Sequence, residues 1–353
     1  MASNLKDYLA YYIECESPGY AVLITGEWGT GKTFQVKQAL AEEERYYVSL
    51  YGLQTVDEVH SAVLAEMDPA LAKVREIVDG IGNTAKDAGG LLSLGAIVPK
   101  ITNAIVRKEV KADRILIFDD LERSGLDLDD RLGVINLYVE HHGCRVVAIA
   151  HDEILVDGFQ RTKEKLFGHT IKIKPQVNEA FSEFCSSLQE SENLEFLETH
   201  RAEIIGLFIS SRVNSLRILR HTLQDLGRLH DILENDHLKN SAAMTELVGL
   251  FSALNMEVRA GNLSEDDLRN RSESSYEYEF QRHSQPNGEV EKPKLVVAGE
   301  KYATIDLRNN LLQDSLLIQM LIEGRYIQER IRESLNSSPH FIKIQEASPW
   351  KLV

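Results

Sequence analysis

Eight consecutive residues near the start of the chain have the order of a phosphate-binding P-loop, GxxxxGK[ST]. These residues are Gly26, Glu27, Trp28, Gly29, Thr30, Gly31, Lys32 and Thr33, and Phe34 follows them. Glycines let such a loop curl so that its N–H groups point at phosphate oxygens, and the next helix adds the positive end of its dipole. The motif therefore predicts that Lys32 reaches the β- and γ-phosphates of a nucleotide and that the Thr33 hydroxyl binds Mg²⁺.

A second candidate is the apolar stretch at residues 115–120, ILIFDD, which ends in two acids. This is the Walker B pattern, in which an acid at the end of a buried strand holds Mg²⁺ directly or through water. It predicts Asp119 as the metal residue, beside the strand that leads into the P-loop, and Asp120 as the group that polarises the attacking water. Glu122 is a weaker candidate for this base. Arg123 could contact a γ-phosphate in trans or pair with Asp120, and the pairing is favoured.

Three further side chains are candidates for contacts around the nucleotide. His151 follows the next predicted strand, where P-loop enzymes often carry a polar group that senses the γ-phosphate, although a histidine held within a turn explains it as well. Arg217 lies in the helical pattern SLRILRHTL. It could couple phosphate to domain motion or be a solvated helical charge. The ring of Trp28 is unsuited to phosphate, so we expect it to pack under the loop or against a partner.

The elements that hold these residues alternate between strands and helices. Apolar runs predict strands at 20–25, 46–52, 114–120, 144–152 and 169–175. Helical spacing predicts helices at 3–14, after the P-loop, at 55–66 and near 128–142. This alternation favours an α/β fold with a mostly parallel sheet covered by helices.

The chain changes character after the last predicted strand, because only helical patterns follow it. We predict four regions along the chain: a P-loop core at 1–176 with a Gly-rich insertion at 79–109, a helical lid at 177–261, a polar mobile segment at 262–308, and a C-terminal helical region at 309–353. Within the last region, one helix is expected at 309–336.

Composition excludes several classes of function. The 39 Lys and Arg residues are outnumbered by 55 Asp and Glu, giving a formal charge of −16, so the surface as a whole should repel a nucleic-acid backbone. Three cysteines are too few and too distant for a zinc site or a disulfide framework. No signal peptide is visible, and the longest apolar run, at 91–98, is far shorter than the ~20 residues that cross a bilayer. We therefore expect a cytoplasmic protein without a membrane anchor.

The motifs together resemble the KAP family of P-loop NTPases, relatives of the AAA+ and STAND groups. The resemblance covers about residues 1–235 and is carried, in order, by GEWGTGKT, YYVSLYG, ILIFDDLER, VVAIAHDEI, EKLFGHTIKIKP and SLRILRHTL. It implies an αβα sandwich of the additional-strand class, with a strand between the P-loop and Walker B strands, followed by an all-α lid. It also implies ATP and Mg²⁺ as ligands, Asp120 as catalytic acid and Arg217 as a lid arginine.

The resemblance has departures and a biological implication. Many KAP members carry transmembrane helices between the two Walker motifs, whereas the insertion at 79–109 is too short and too polar for this. The strand-end arginine of STAND proteins is missing, and His151 lies nearby instead. Bacterial members of this type are frequently found in anti-phage defence systems.

Our main hypothesis is a Mg²⁺-dependent ATPase that acts as a nucleotide-driven switch or assembly platform. The sequence carries no nuclease, protease or deaminase constellation, so we expect it to work through a protein effector, a homo-oligomer or both. One alternative is a nucleotide-gated scaffold with negligible hydrolysis, because binding and turnover share every candidate residue except the base. A second alternative is a DNA-directed motor, which needs a basic stripe; residues 212–228 are the richest candidate.

Overall fold

The computed structural model of the chain describes residues 2–68, 110–151, 159–187, 191–284, 291–339 and 341. The insertion predicted at 79–109 lies outside these residues. The chain divides into two units, Met1–Pro175 and Gln176–Val353. Among the described residues, no helix combines the length and apolar character needed to cross a bilayer.

Five parallel strands form the centre of the first unit. They are β1 (Ala21–Gly26), β2 (Arg45–Ser49), β3 (Ile115–Asp119), β4 (Arg145–His151) and β5 (Phe167–Lys172). Every residue of β1 and β3 is buried, as expected for parallel strands covered on both faces. The predicted α/β class with a parallel sheet is confirmed, with strand bounds shifted by a few residues.

The strand order is β2-β3-β4-β1-β5, so β4 lies between the P-loop strand and the Walker B strand. The prediction that Asp119 lies beside the P-loop strand is therefore wrong. The inserted strand agrees instead with the additional-strand arrangement. Because all strands are parallel, their carboxyl ends meet at one edge, with Gly26 opposite His151 and Ser49 opposite Asp119.

Helices cover both faces of this sheet. They are α1 (Ala2–Glu14), α2 (Lys32–Ala39), α3 (Val56–Met67), α4 (Leu128–Asn136), which continues into a π turn (Leu137–His141), and α5 (Phe159–Leu166). On one face, Val22 and Ile24 of β1 pack in a core with residues of α1 and α2. On the other face, Leu23 packs in a core with residues of α3 and α4. The first unit is thus an αβα sandwich.

Among the described residues of the second unit, the regular secondary structure is all helical. Its helices are α6 (Val177–Ser186), α7 (Ser191–Thr199), α8 (Arg201–Ser211), α9 (Leu216–His230), α10 (Asn235–Leu238), α11 (Ser241–Arg259), α12 (Glu265–Arg269), α13 (Arg271–Ser284), α14 (Lys294–Gly299), α15 (Asp314–Leu321) and α16 (Gln328–Ser337). Helix α11 is central and is buried nearly all round, with Leu247, Phe251 and Leu254 fully enclosed. This agrees with the predicted all-α second half.

Two predictions for the second unit are wrong. Three helices, α12, α13 and α14, lie within residues 262–308, and residues 285–290 lie outside the described residues. The polar composition misleads because it does not show that one of the charged residues, Arg271, is fully buried. Arg271 pairs with Asp314 at 2.7 Å and donates to the Leu307 carbonyl at 2.6 Å. The single helix expected at 309–336 is two helices, because the chain turns at Gly324, whose φ of 68° ordinary residues rarely adopt.

Candidate functional site

The P-loop curls tightly between β1 and α2. A Cβ atom at Gly26 would lie 3.0 Å from both the Ile173 carbonyl oxygen and the Thr30 hydroxyl, so only glycine fits there without a shift. Gly29 and Gly31 have φ values of 76° and 81°, in the left-handed region that glycine adopts without steric cost. These glycines turn the chain from the buried strand into helix α2.

The curled backbone presents hydrogen-bond donors at the start of this helix. Gly31 is the N-cap residue of α2, and because glycine has no side chain it cannot cap the first N–H groups of the helix. Within the described part of the chain, the N–H groups of Gly29 and Gly31 meet no acceptor. Donors at a helix N-terminus favour an anion such as phosphate, because the helix dipole acts in the same direction.

Lys32 lies at the loop, where its motif position predicts phosphate binding. Its ammonium donates to the Gly26 carbonyl at 2.8 Å and to the Glu27 carbonyl at 3.0 Å. Thr30 donates its hydroxyl to the same Glu27 carbonyl at 2.9 Å. The loop therefore holds the cationic head of Lys32 beside its own backbone, within reach of a phosphate that the loop would bind.

A direct hydrogen bond joins the P-loop to the Walker B strand. The Thr33 hydroxyl donates to Oδ2 of Asp119 at 2.5 Å, across 86 residues of sequence. Asp119 is 4% exposed at the end of β3, and its Oδ1 accepts the N–H of Asp120 at 2.7 Å. The structure thus brings the two predicted metal residues together, although a strand separates β1 from β3.

Strand β2 contributes to the site two residues that the sequence motifs do not identify. The Tyr47 hydroxyl donates to Oδ2 of Asp119 at 2.8 Å, and the Ser49 hydroxyl donates to Oδ2 of Asp120 at 2.9 Å. Burial, and then the neighbouring Asp119, raise the pKa of Tyr47 above its ordinary value, so the phenol keeps its proton. The alternation of YYVSLY, which gives Tyr47 and Ser49 a shared face beside a Walker B strand, is the signal that could have identified them.

Asp120 lies in the turn that follows β3. Its φ of 56° and ψ of 41° place it in the left-handed region, which non-glycine residues adopt rarely and often at functional sites. Its Oδ1 lies 3.6 Å from Nη1 of Arg123, the pairing favoured from sequence. The Arg123 guanidinium also lies 3.8 Å from the ring centre of Tyr51. Both carboxylate oxygens of Asp120 are therefore restrained by a neighbour.

His151, at the end of β4, contacts both the P-loop and the turn that follows β3. Its ring stacks on Trp28 of the P-loop, with centroids 4.9 Å apart and planes 24° from parallel. Its backbone N–H donates to Oε2 of Glu122 at 3.1 Å. From the sequence, we expect Trp28 to pack either under the loop or against a partner. Trp28 is 40% exposed, so it does not pack under the loop. Glu122 links the ends of two strands.

The remaining candidates have exposed side chains. Glu27 and Phe34 have exposed side chains, and Phe34 on α2 is 43% exposed. Arg217 is exposed in the first turn of α9, within the second unit. The roles of these residues at a nucleotide stay predictions.

The chemistry of the Asp119 surroundings fits a divalent cation. Its carboxylate accepts from the hydroxyls of Thr33 and Tyr47 and from a backbone N–H, which are all neutral, and it forms no ion pair with a described residue. A buried carboxylate without a counter-charge is costly, and Mg²⁺ would supply that charge. The Thr33 oxygen retains lone pairs after donating its proton, so it can serve as a ligand.

The donor set is small, as expected for a magnesium ion shared with a nucleotide. The described residues contain no group of three or more His, Cys, Asp or Glu side chains that could hold a metal ion. Mg²⁺ in nucleotide sites usually takes one or two protein ligands and completes its shell with phosphate oxygens and water. Thr33 and Asp119 therefore fit the metal of a Mg²⁺–nucleotide complex, with Lys32 available to the phosphates.

Comparison with protein-family models agrees with the P-loop geometry. Residues 2–77 match the model of the KAP family P-loop domain, which confirms the resemblance for this part of the chain. A search of curated proteins found no match. Among solved structures, a chain in the structure of Drosophila ORC bound to DNA is similar over 93% of this chain and 88% of that chain, with 14% identity and a TM-score of 0.44. The N-terminal part of the chain is thus similar to the P-loop domain of the KAP family.

Proposed function

We propose that the chain is a Mg²⁺-dependent ATPase in which hydrolysis drives a switch between conformations or assembly states. The observation that carries the proposal is the 2.5 Å hydrogen bond between Thr33 and Asp119. It joins the phosphate-binding loop to the acid-tipped strand, which is the juxtaposition that a magnesium triphosphate needs. A family match restricted to the P-loop part supports nucleotide binding.

Each side chain of the site has a role in this proposal. The N–H groups of the P-loop and the Lys32 ammonium would hold the β- and γ-phosphates in line for attack. When bound, Mg²⁺ would neutralise charge on the phosphate oxygens. Asp120 would orient a water molecule and accept its proton as the water oxygen bonds to the γ-phosphorus and the bond from that phosphorus to the β–γ bridging oxygen breaks, which releases ADP and phosphate. Glu122 is the alternative base. His151 would sense the γ-phosphate through its stacking on Trp28.

Phosphate release and nucleotide binding, measured on the same variants, test these roles. Lys32→Ala should abolish ATP binding, because it removes the cation that contacts the phosphates. Asp120→Asn should bind ATP but release phosphate on the order of 100-fold more slowly, because an amide cannot accept the proton. Lys239→Ala removes an exposed lysine of the second unit and serves as the matched control. Normal turnover in both site variants would contradict the assignment.

A second candidate function is a nucleotide-gated scaffold that hydrolyses ATP negligibly. The pairing of Asp120 with Arg123 favours it, because an acid engaged in an ion pair is less available to a water molecule. Mass in solution with ATP and with a non-hydrolysable analogue discriminates between the two functions. A scaffold changes its assembly state with either ligand and releases no phosphate.

We further propose that the ATPase acts with a protein effector, as a homo-oligomer, or both, and that its setting is bacterial anti-phage defence. These points rest on the family resemblance, and the absence of a second catalytic constellation in the sequence supports an effector. Phosphate release with and without candidate partners or phage lysate tests the proposal. Stimulation that is lost in Lys32→Ala is the expected result.

A further inference from the structure

Strand β2 presents two hydroxyl groups to the site from one of its faces. Successive side chains of a strand point to opposite faces, so Tyr47 and Ser49 share one face while Tyr46 and Val48 share the other. Tyr46 and Val48 are 4% and 3% exposed and belong to the apolar core. The face with Tyr47 and Ser49 contacts both acids at the end of β3.

Tyr47 contacts the acid assigned to the metal. Its hydroxyl and that of Thr33 donate to the same oxygen of Asp119, at 2.8 and 2.5 Å. The ring is held in turn by Lys37 of α2, whose ammonium lies 3.5 Å from the ring centre. Two donors on one oxygen fix the plane of the carboxylate, so the direction of its remaining lone pairs is set before a cation binds.

Ser49 contacts the other acid. Its hydroxyl donates to Oδ2 of Asp120 at 2.9 Å, and Ser49 lies directly opposite Asp119 in the β2–β3 register. The next residue, Leu50, continues the ladder by donating its N–H to the Asp119 carbonyl at 2.8 Å. The end of β2 is therefore fixed against the turn that carries Asp120.

We propose that β2 is the positioning strand of the site: Tyr47 orients the metal acid Asp119, and Ser49 orients the water-polarising acid Asp120. The inference rests on the proposed function and deepens it. Residues that hydrogen-bond to a metal ligand fix its orientation, and their loss reduces metal affinity or activity. The two hydroxyls should act separately, because each contacts a different carboxylate.

The first experiment measures the Mg²⁺ requirement for binding a non-hydrolysable ATP analogue, so it needs no turnover. Tyr47→Phe should raise the Mg²⁺ concentration for half-maximal binding by about 10-fold, because Asp119 loses one of its orienting donors. Tyr46→Phe is the matched control, since it removes a hydroxyl that donates to Asp113 at 3.1 Å from the opposite face of the same strand. Thermal unfolding of both variants checks that the unit is folded.

The second experiment separates binding from turnover. Ser49→Ala should lower kcat by about 10-fold and leave KM and analogue binding within about twofold of wild type, because Asp120 is not a metal ligand. Ser49→Thr restores a hydroxyl in a side chain that suits a strand, so it should recover turnover. A general structural defect would change analogue binding as well.

The outcomes distinguish this inference from the function on which it rests. The inference is overturned if Tyr47→Phe and Tyr46→Phe need the same Mg²⁺ concentration, or if Ser49→Ala turns over like wild type. A wild-type chain that binds no Mg²⁺–nucleotide overturns the proposed function and the inference together. Wild-type binding without phosphate release overturns the ATPase assignment and the role of Ser49, while the binding result still decides the role of Tyr47.

Discussion

Two buried carboxylates, one in each unit, are satisfied in different ways. Asp119 at the end of β3 accepts hydrogen bonds from neutral groups, and the described residues offer it no ion pair. Glu257 of α11 is fully buried and contacts the Lys301 ammonium at 2.8 Å, with further donors from Tyr302 and Asn262. Glu257 is paired with a cation, whereas Asp119 is paired with none among the residues that the structure describes.

This difference distinguishes an acid at a candidate binding site from an acid that stabilises the fold. Burying a carboxylate without a cation lowers stability, so such a group persists where it has another use. The second unit repeats the neutralised arrangement at Asp225, which is paired with Arg259, and at Arg271, which is paired with Asp314 at 2.7 Å. The presence or absence of a protein cation beside a buried acid is therefore the feature that favours Asp119 over Glu257 as the residue for Mg²⁺ in the proposed function.

The largest expected effect comes from Asp119→Asn. Phosphate release should fall on the order of 100-fold, because the metal loses its charged partner. The free energy of unfolding of the nucleotide-free chain should change by less than about 1 kcal/mol, because the loss of one hydrogen bond offsets the removal of a buried charge. Phosphate-release assays and urea denaturation measure the two quantities.

Asp113→Asn is the control for this variant, since Asp113 is an exposed acid that contacts Tyr46. It should change neither quantity. A large loss of stability in Asp119→Asn would show that the carboxylate supports the fold as Glu257 does, and the contrast between the two units would then fail.

Glu257→Gln should give the reverse pattern. It leaves Lys301 without its partner, so the free energy of unfolding should fall by about 2–4 kcal/mol, at the lower end of the range for broken buried pairs because Lys301 is partly exposed. Nucleotide binding by the first unit should be retained while the chain is folded. Urea denaturation followed by circular dichroism provides the measurement.

Glu333→Gln, which changes an exposed acid of α16, should alter stability by less than about 0.5 kcal/mol and serves as the reference. If Glu257→Gln changes the free energy of unfolding equally little, then the ion pair with Lys301 contributes little to stability, and Glu257 does not stabilise the fold.

Much of the first unit could be predicted from the sequence. The strands are short apolar runs with clear boundaries, and the P-loop and Walker B motifs identify Thr33 and Asp119 by residue type and spacing alone. Tyr47 and Ser49 were not predicted as site residues, because their contacts depend on which strand lies beside β3. That neighbour is β2, which is distant in sequence and is fixed by the sheet order.

The second unit was harder to predict because several of its charged residues, Asp225, Glu257 and Arg271, are buried. Arg271 lies in a segment that composition assigns to solvent, yet its guanidinium is fully buried against Asp314 and two carbonyls. Composition records that a residue is charged but not that its partner lies 43 residues away. The three helices of this segment therefore could not be inferred from local pattern.

His60 of α3 provides the smallest test, because it is a buried polar group that can lose its charge. It is 5% exposed, and its Nδ1 lies 2.8 Å from the Tyr138 hydroxyl. Burial lowers the pKa of His60 below its ordinary value of 6.5. Like Asp119, His60 has a neutral hydrogen-bond partner. Because its lowered pKa keeps it uncharged, His60 avoids the desolvation penalty of a buried charge.

The sign of the pH effect follows from this lowered pKa. Below pH 6.5 the unfolded chain takes up a proton that the folded His60 resists, so stability falls as the pH decreases, by at most about 1.4 kcal/mol per pH unit for one group. Urea midpoints at pH 7.5 and 5.5 should therefore differ less in His60→Gln than in wild type. His221→Gln, at an exposed position of α9, should leave the difference unchanged. An equal pH dependence in His60→Gln and wild type would mean that His60 accepts a proton in the folded state, and that burial alone does not decide which polar groups in this chain stay neutral.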